Sequence, residues 1–240
     1  MVDRLRGFRS RGKIEKEYLV QGLKLAGVDE VGRGCLAGPV HAAFAILDYD
    51  RVFKLKPKIR QLIRDSKLLS REQRAAIVPT IQEVALDWQV AHATVEEIEE
   101  LNIVNASFLA MRRALAGSKF PVDVLLIDGK MKLKGYDGAQ RAIIGGDNLC
   151  FAIAAAAILA KETRDAHMRS MADIYPHYGF EAHVGYSTER HLANIARHGI
   201  CPLHRKTFLP IRNILDAAAA EAAPAPITVR RRREPGQPRA

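Results

Sequence analysis

Short apolar or alternating runs, each bounded by glycine, proline or charged residues, predict β-strands between residues 23 and 146. Alternating runs indicate strands with one buried face, and continuous apolar runs indicate strands buried on both faces. The predicted strands are Leu23 to Asp29, Pro39 to Leu47, Ala85 to Ala93, Val122 to Asp128 and Ala142 to Gly146.

Helical signals lie between these strands and dominate the C-terminal half. Ser70 and Thr94 each precede a Gln or Glu three positions later, the capping-box pattern that marks the start of a helix. Further helices are predicted over Ile103 to Leu115, Asn148 to Met171 and Thr188 to His198. Strands that come first and helices that follow predict an α/β fold, with a mixed sheet flanked by helices and a helical C-terminal extension.

Composition divides the 240 residues into a folded core and two polar ends. Residues 1–22 are polar and basic, and we expect a flexible extension there. Residues 222–240 combine Ala and Pro with the run Arg230 to Arg233, so we expect a disordered basic tail. Residues 23–221 are enough to bury one ordinary core, which predicts a single folded domain.

The formal charge of +10 favours a polyanionic partner, although a solvated surface rich in Lys and Arg would give the same number. Cys35, Cys150 and Cys201 are odd in number and far apart, so we expect reduced thiols in a cytoplasmic protein. No run of about eighteen apolar residues occurs, and the N-terminus lacks an apolar leader segment. We therefore expect neither secretion nor membrane insertion.

Carboxylates stand at the ends of three predicted strands. Asp29 and Glu30 end the first, Asp128 ends the fourth and Asp147 follows the fifth. Each has an ordinary alternative, an exposed turn for the Asp29-Glu30 pair and a helix N-cap for Asp147. If instead they converge at one edge of the sheet, they repel one another unless cations neutralise them. Oxygen ligands without His or Cys suit Mg²⁺ or Mn²⁺.

Further motifs surround these acids in a fixed order. They are Gly27-Val28-Asp29-Glu30, Gly32-Arg33-Gly34, Asp65-Ser66-Lys67, Leu126-Ile127-Asp128-Gly129, Gly146-Asp147, Ala160-Lys161, Gly185-Tyr186-Ser187-Thr188 and His204-Arg205-Lys206. Over roughly residues 24–215 the chain thereby resembles type 2 ribonuclease H, specifically the bacterial ribonuclease HII family. The resemblance implies a ribonuclease H-like five-stranded sheet. It also implies that Asp29, Glu30, Asp128 and Asp147 are the catalytic, metal-binding residues.

The resemblance further implies an endoribonuclease that hydrolyses the RNA strand of RNA/DNA hybrids. It implies cleavage 5′ to ribonucleotides embedded in duplex DNA, with 3′-hydroxyl and 5′-phosphate products. Two Mn²⁺ or Mg²⁺ ions would activate water and stabilise the leaving oxygen, so no nucleophilic side chain is needed. We expect a monomer.

Recognition of a ribonucleotide requires contact with its 2′-hydroxyl. The backbone of Gly32-Arg33-Gly34 suits this contact because glycine permits close approach, although a tight turn is the ordinary explanation. Tyr186 is expected to place its ring against a neighbouring sugar, and its ordinary alternative is packing. Phosphate contacts are expected from Lys67, Lys161, Arg164 and Arg205, of which Lys161 and Arg164 have nearby acids as alternative partners.

Three positions depart from the family pattern. Ala157 stands where a serine is usual, Lys130 where an asparagine is usual, and Glu162 where a hydrophobic residue is usual. The lost hydroxyl predicts reduced rather than abolished activity. The alternative functions are a non-catalytic nucleic-acid-binding protein that retains the fold, and an enzyme that prefers long hybrids as ribonuclease HIII does. His183, His191, His198 and His204 are not spaced as a metal site and are expected to be packing or surface residues.

Overall fold

The computed structural model of the chain describes residues 11–222. Its strands are β1 (Leu25–Val31), β2 (Val40–Leu47), β3 (Ala85–Ala93), β4 (Val124–Asp128) and β5 (Gln140–Ile143). They form one mixed sheet in the order β3-β2-β1-β4-β5, in which β1, β2 and β3 are antiparallel neighbours and β4 and β5 continue parallel to β1. The five predicted strands and the mixed sheet are confirmed.

The largest strand error is at β5, which was predicted to continue to Gly146. The strand ends at Ile143 because Gly145 adopts a left-handed conformation with φ of 65° and turns the chain into the next helix. Asp147 lies inside that short helix, and the residue at the N-cap position is Gly145. The N-cap alternative for Asp147 is therefore wrong.

Helices cover the sheet and form the C-terminal part of the described chain. They are α1 (Lys13–Leu19), α2 (Tyr49–Lys54), α3 (Pro57–Arg60), α4 (Arg71–Val84), α5 (Val95–Ala116), α6 (Gly146–Leu149), α7 (Phe151–Ile174), α8 (Phe180–His183), α9 (Glu189–His198) and α10 (Leu209–Ala222). Ser70 and Thr94 make the predicted capping boxes of α4 and α5. Within α5 the backbone breaks at Asn102, whose side chain accepts from the N–H groups of Val104 and Asn105 and so starts the second half.

Two hydrophobic layers flank the sheet. Alternate residues of β2 point to opposite faces, with Ala43 and Ala45 packing against α4 and α7 and with Phe44 packing against α5. The alanine-rich α7 lies directly on β1. The two elements are so close at Gly27 that a Cβ there would lie 2.2 Å from the Ala152 backbone. Because of this close contact, residues of α7 lie near the C-terminal part of β1, which contains Asp29.

The expectation of a flexible extension over residues 1–22 is wrong for residues 13–19, which form α1. The Glu15 side chain is fully buried, and its carboxylate accepts from the N–H groups of Phe151 at 3.0 Å and Ala152 at 2.9 Å. Glu15 caps α7 through a long-range contact. The sequence around Glu15 has no hydrophobic pattern that would indicate this contact. The expectations for residues 1–10 and for the tail beyond 222 fall outside the described residues.

The three cysteines are free thiols, as predicted, and the structure adds that all three are buried. No helix in residues 11–222 has the length and apolar character needed to span a membrane.

Candidate active site

The register of β1 and β4 brings Asp29 and Asp128 side by side. The two parallel strands pair Val28 with Ile127, so the next residues, both aspartates, lie at neighbouring strand ends. Because Val28 and Ile127 pack on the α5 side, the aspartates project to the side covered by α7. Asp128 accepts a hydrogen bond from the Gly146 N–H at 2.7 Å, which ties the start of α6 to this edge of the sheet.

These elements surround one cavity of about 370 Å³. All four predicted acids line it. So do two of the four basic residues expected at phosphates, and the tyrosine expected to pack against a sugar. The lining residues are Asp29, Glu30, Val31, Ser66, Lys67, Asp128, Asp147, Ala157, Lys161 and Tyr186. The sequence positions chosen from strand ends therefore converge in space.

The acids share one electrostatic environment. Burial and then the charges of Glu30 and Asp128 raise the pKa of Asp29 well above its usual range. Burial, followed by the charges of Asp65 and Asp128, raises the pKa of Asp147 to about 6. A divalent cation would relieve this repulsion, and oxygen-only donors suit Mg²⁺ or Mn²⁺.

Glu30 differs from its neighbour because consecutive strand residues face opposite sides of a sheet. Its carboxylate accepts from the Arg33 guanidinium at 3.0 Å and lines a second, small cavity together with Lys130. Burial raises the pKa of Glu30, and the hydrogen bond from Arg33 opposes this rise. In residues 11–222 no three acidic, His or Cys side chains already form a metal-ligand cluster. Cation binding by all four acids would therefore require side-chain rearrangement.

The structure requires glycine at position 32 but leaves space for a side chain at position 34. Gly32 has a φ of 90°, and a Cβ there would lie 2.1 Å from Nε of Arg164, so the turn itself accounts for it. A Cβ at Gly34 would meet nothing within 4 Å, and the residue is exposed. Only Gly34 therefore presents an open backbone face of the kind that a sugar could approach.

Tyr186 stands at the cavity with 38 % of its surface exposed. The ring centroid lies 5.0 Å from Nζ of Lys161, within cation–π range. The hydroxyl is hydrogen-bonded with the Cys35 thiol. Burial, and then the nearby Cys35, raises the pKa of Tyr186 to about 12. The ring is thus held by contacts on one side and accessible from the cavity.

Two predicted phosphate contacts require correction. Arg164 is fully buried and donates to the carbonyls of Ala37, Pro39 and Val184. Arg205 is also fully buried, and donates to the carbonyls of Gly32, Arg33 and Gly38. Both guanidiniums are occupied by backbone oxygens, so each supports a loop rather than facing solvent. No local pattern indicates this burial, because arginine is usually an exposed residue.

The two lysines remain at the cavity. Lys67 is exposed, while Lys161 is mostly buried and pairs with Asp165 at 2.9 Å, one of its predicted alternative partners. Glu162, one of the family departures, accepts from Arg74 at 2.8 Å. Arg74 also donates to the carbonyls of Ser66 and Leu69, so Glu162 indirectly fixes the segment that carries Lys67.

Asp65 was not among the predicted site residues. Its charge contributes to the raised pKa of Asp147, and its side chain receives a long contact of 3.5 Å from the Asn148 amide. The Asp65-Ser66-Lys67 motif was the available signal, but only the lysine was taken from it. Among the histidines, His183, His191 and His204 are buried, as expected for packing residues, and His198 is exposed.

Comparison with known proteins agrees with this arrangement. The mixed five-stranded sheet is that of the ribonuclease H-like fold. The ribonuclease H2 structure from Pyrococcus horikoshii OT3 matches with a TM-score of 0.66 at 25% identity, covering 81% of this chain and 98% of that one. The family model described as Ribonuclease HII matches residues 26–210. The chain belongs to the ribonuclease HII family.

Individual relatives support the same assignment. Ribonuclease HII of Endomicrobium trichonymphae is 46% identical over 191 residues, which cover 80% of this chain and 88% of the relative. Ribonuclease HII of Cupriavidus necator is 48% identical over 195 residues, covering 80% and 79%. The Bst-RNase HIII structure in complex with Mn²⁺ shares the fold, with a TM-score of 0.61 at 21% identity over 82% of this chain and 71% of that one. The chain is thus a metal-dependent endoribonuclease that acts on RNA/DNA hybrids.

Proposed function

We propose that Asp29, Glu30, Asp128 and Asp147 hold two divalent cations, Mg²⁺ or Mn²⁺. With them the enzyme would hydrolyse hybrid RNA and also cut duplex DNA 5′ to an embedded ribonucleotide. The observation that carries this proposal is the side-by-side position of Asp29 and Asp128 near the C-terminal ends of β1 and β4. Both line the same cavity, where burial and the neighbouring carboxylates raise the pKa of Asp29. The Mn²⁺ complex of Bst-RNase HIII, a protein with the same fold, supports the choice of ions.

The bound ions would activate a water, orient the phosphate and stabilise the leaving 3′ oxygen. Asp29 is placed to contribute most to cation binding, because it is buried and its neighbours are the other three acids. Asp128 orients Asp147 through its bond to the Gly146 N–H. Glu30 joins the set when its carboxylate leaves Arg33, which frees that exposed guanidinium for a phosphate.

Substrate selection would use the two surfaces beside this cavity. The open backbone at Gly34 would meet the 2′-hydroxyl, and the exposed edge of the Tyr186 ring would pack on the adjacent sugar. Lys67 and Lys161 would contact phosphates, which positions a duplex without reading its sequence. Because one chain supplies all of these groups, we expect the active unit to be a monomer.

A cleavage assay tests the proposal. The substrates are duplex DNA with one ribonucleotide and a long RNA/DNA hybrid, each with Mg²⁺, with Mn²⁺ or with EDTA. Asp128→Asn retains the shape of the side chain but removes its charge, and we expect at least a ~100-fold loss of rate with substrate binding retained. Asp137→Asn, at an exposed position away from the cavity, is the matched control and should match the wild type.

Three results would refute the proposal in different ways. Cleavage in EDTA would exclude the cations, and full activity of Asp128→Asn would exclude the assigned ligand set. A wild-type enzyme that cuts the hybrid but leaves the single ribonucleotide intact would restrict the function to hybrids.

A further inference from the structure

The segment 201–205 lies behind both surfaces that we assign to ribonucleotide recognition. His204 connects through His191 to the backbone of Tyr186, and the adjacent Arg205 bonds the backbone of Gly32 and Arg33. None of these contacts involves the four acids. We propose that His204 and Arg205 are positioning residues that fix the distance between the Gly34 backbone face and the Tyr186 ring, and thereby determine the preference for a single ribonucleotide. This inference rests on the proposed recognition of the 2′-hydroxyl.

The connection to Tyr186 is a directional chain of hydrogen bonds. Nδ1 of His191 lies 2.8 Å from the Tyr186 carbonyl and must donate to it, so the Nε2 atom of the neutral His191 ring accepts. Nε2 of His204, 3.1 Å away, then donates to it, which leaves Nδ1 of His204 to accept from the Cys201 N–H at 2.9 Å. A single pair of tautomers satisfies every atom of this chain.

Both rings must be neutral for this chain to exist. Protonation of His191 would place its Nε2–H against the Nε2–H of His204, and protonation of His204 would place its Nδ1–H against the Cys201 N–H. Burial lowers the pKa of His191 and of His204 to about 4, which is consistent with this requirement. A third buried ring, His183, accepts from the Gly185 N–H at 3.2 Å and donates to the Tyr178 carbonyl at 2.7 Å. The residue before Tyr186 is therefore held as well.

The connection to the glycine loop is made by the Arg205 side chain. Its Nη1 atom donates to the Arg33 carbonyl at 2.9 Å, and its Nη2 atom donates to the carbonyls of Gly32 and Gly38 at 2.7 Å each. A rigid planar guanidinium with several donors can fix such a loop in one conformation. The last residue of the loop, Gly34, follows directly from these anchored carbonyls.

Backbone contacts join the two surfaces into one unit. The N–H of Leu36 donates to the Gly185 carbonyl at 2.8 Å, and the N–H of Arg205 donates to the Leu36 carbonyl at 2.9 Å. These backbone hydrogen bonds place the loop, the Tyr186 segment and residues 201–205 in direct contact. A change at the His204 to His191 contact would shift Tyr186 relative to Gly34 without altering the cation ligands.

The most selective test breaks that contact and keeps the hydrogen bond on its far side. In His204→Asn, the Oδ1 atom can still accept from the Cys201 N–H, but the shorter side chain does not reach His191. In His191→Asn, the amide can still donate to the Tyr186 carbonyl, and the same contact is lost from the other side. His198→Asn, at an exposed histidine of α9, is the matched control.

The readout is the ratio of the cleavage rate on single-ribonucleotide DNA to the rate on a long hybrid. We expect His204→Asn and His191→Asn each to lower this ratio by about 10-fold or more, because displacement by about 1 Å is enough for such losses. The rate on the hybrid and the affinity for Mn²⁺, measured by titration calorimetry, should remain close to wild type. His198→Asn should leave all three quantities unchanged.

A second comparison excludes a general loss of stability. In a Tyr186→Ala background, His204→Asn should lower the ratio no further, since it acts through Tyr186. Arg205→Lys retains charge but loses the planar fork, and should lower the ratio in the same way through the glycine loop. Equal losses on both substrates, additive effects with Tyr186→Ala, or an unchanged ratio in a folded variant would each overturn the inference. Failure of the proposed function itself would appear separately, as a wild-type enzyme that does not cut at a single ribonucleotide.

Discussion

The Glu15 carboxylate accepts a hydrogen bond from the backbone N–H of Ala152 at 2.9 Å, although the two residues are 137 positions apart. Through this contact and the one to Phe151, helix α1 caps the N-terminus of α7, the helix that packs on β1. A carboxylate at a helix N-terminus satisfies N–H groups that the helix leaves unpaired and interacts favourably with the helix dipole. Arg11, just before α1, donates to the Asp147 carbonyl at 2.9 Å.

The first prediction is that Glu15→Ala destabilises the fold. It leaves two buried N–H groups without an acceptor and opens space at the end of α7, so we expect the free energy of unfolding to fall by about 2–3 kcal/mol. Urea denaturation measures this change. Glu17→Ala, on the same helix but exposed and paired with Arg141, should cost less than about 1 kcal/mol. Equal stabilities of the two variants would show that α1 is not a cap.

The second prediction concerns the pH dependence of stability in EDTA. The pKa of Asp147 is raised to about 6 in the folded protein, above its ordinary value of 3.8. The folded state therefore binds this proton more tightly than the unfolded chain does. The resulting stabilisation is fully present below the unfolded pKa and is lost as the pH rises through about 6.

Asp147→Asn removes this titration. We therefore expect a higher Tm for the variant than for wild type at about pH 7.5, by a few degrees because roughly 1 kcal/mol corresponds to 2–4 °C. The difference should shrink towards about pH 4, and added Mn²⁺ should reverse it by favouring the ionised wild-type carboxylate. A variant that is less stable than wild type in EDTA at the higher pH would contradict the assigned repulsion. Thermal melts over a pH series measure both effects.

The third prediction is a graded loss of activity at Tyr186. Tyr186→Phe retains the ring and loses one hydrogen bond, about 1 kcal/mol, so we expect a several-fold slower cut at a single ribonucleotide. Tyr186→Ala also loses a stacking surface that is worth roughly another 1–3 kcal/mol. The deficit should be larger on single-ribonucleotide DNA than on a long hybrid, which offers many cleavage registers. Wild-type rates for Tyr186→Ala on the single ribonucleotide would make Tyr186 a packing residue.

Local sequence patterns predicted much of this fold. Helix starts at Ser70 and Thr94 depend on residues three positions apart, and the strands depend on runs of neighbouring residues. The strand ends suggested that the four acids could form a cluster at one edge of the sheet, and the resemblance to ribonuclease HII implied that they bind metal. All four line one cavity, although Asp147 lies in α6 and Asp29 and Glu30 face opposite sides of the sheet.

The errors at charged residues involve contacts between residues far apart in the chain, whereas the error at the end of β5 comes from the local turn at Gly145. Arg164 and Arg205 were expected at phosphates, and their burial depends on carbonyls of the loop around residues 32–39. Glu15 belongs to a polar segment that looks unfolded until α7 is placed against it. Charged residues are seldom buried, so a local pattern favours the surface unless the partner is known.

In the proposed mechanism, bound cations direct water to the phosphate, so that the ribose 2′-hydroxyl is recognised but does not react. The most direct test is to map the cut and the product ends on duplex DNA containing one ribonucleotide, with Mn²⁺ present. We predict a single cut 5′ to the ribonucleotide that leaves a 3′-hydroxyl and a 5′-phosphate. A cut on the 3′ side of the ribonucleotide with a cyclic 2′,3′-phosphate end would show attack by the 2′-hydroxyl and would exclude metal-directed attack by water.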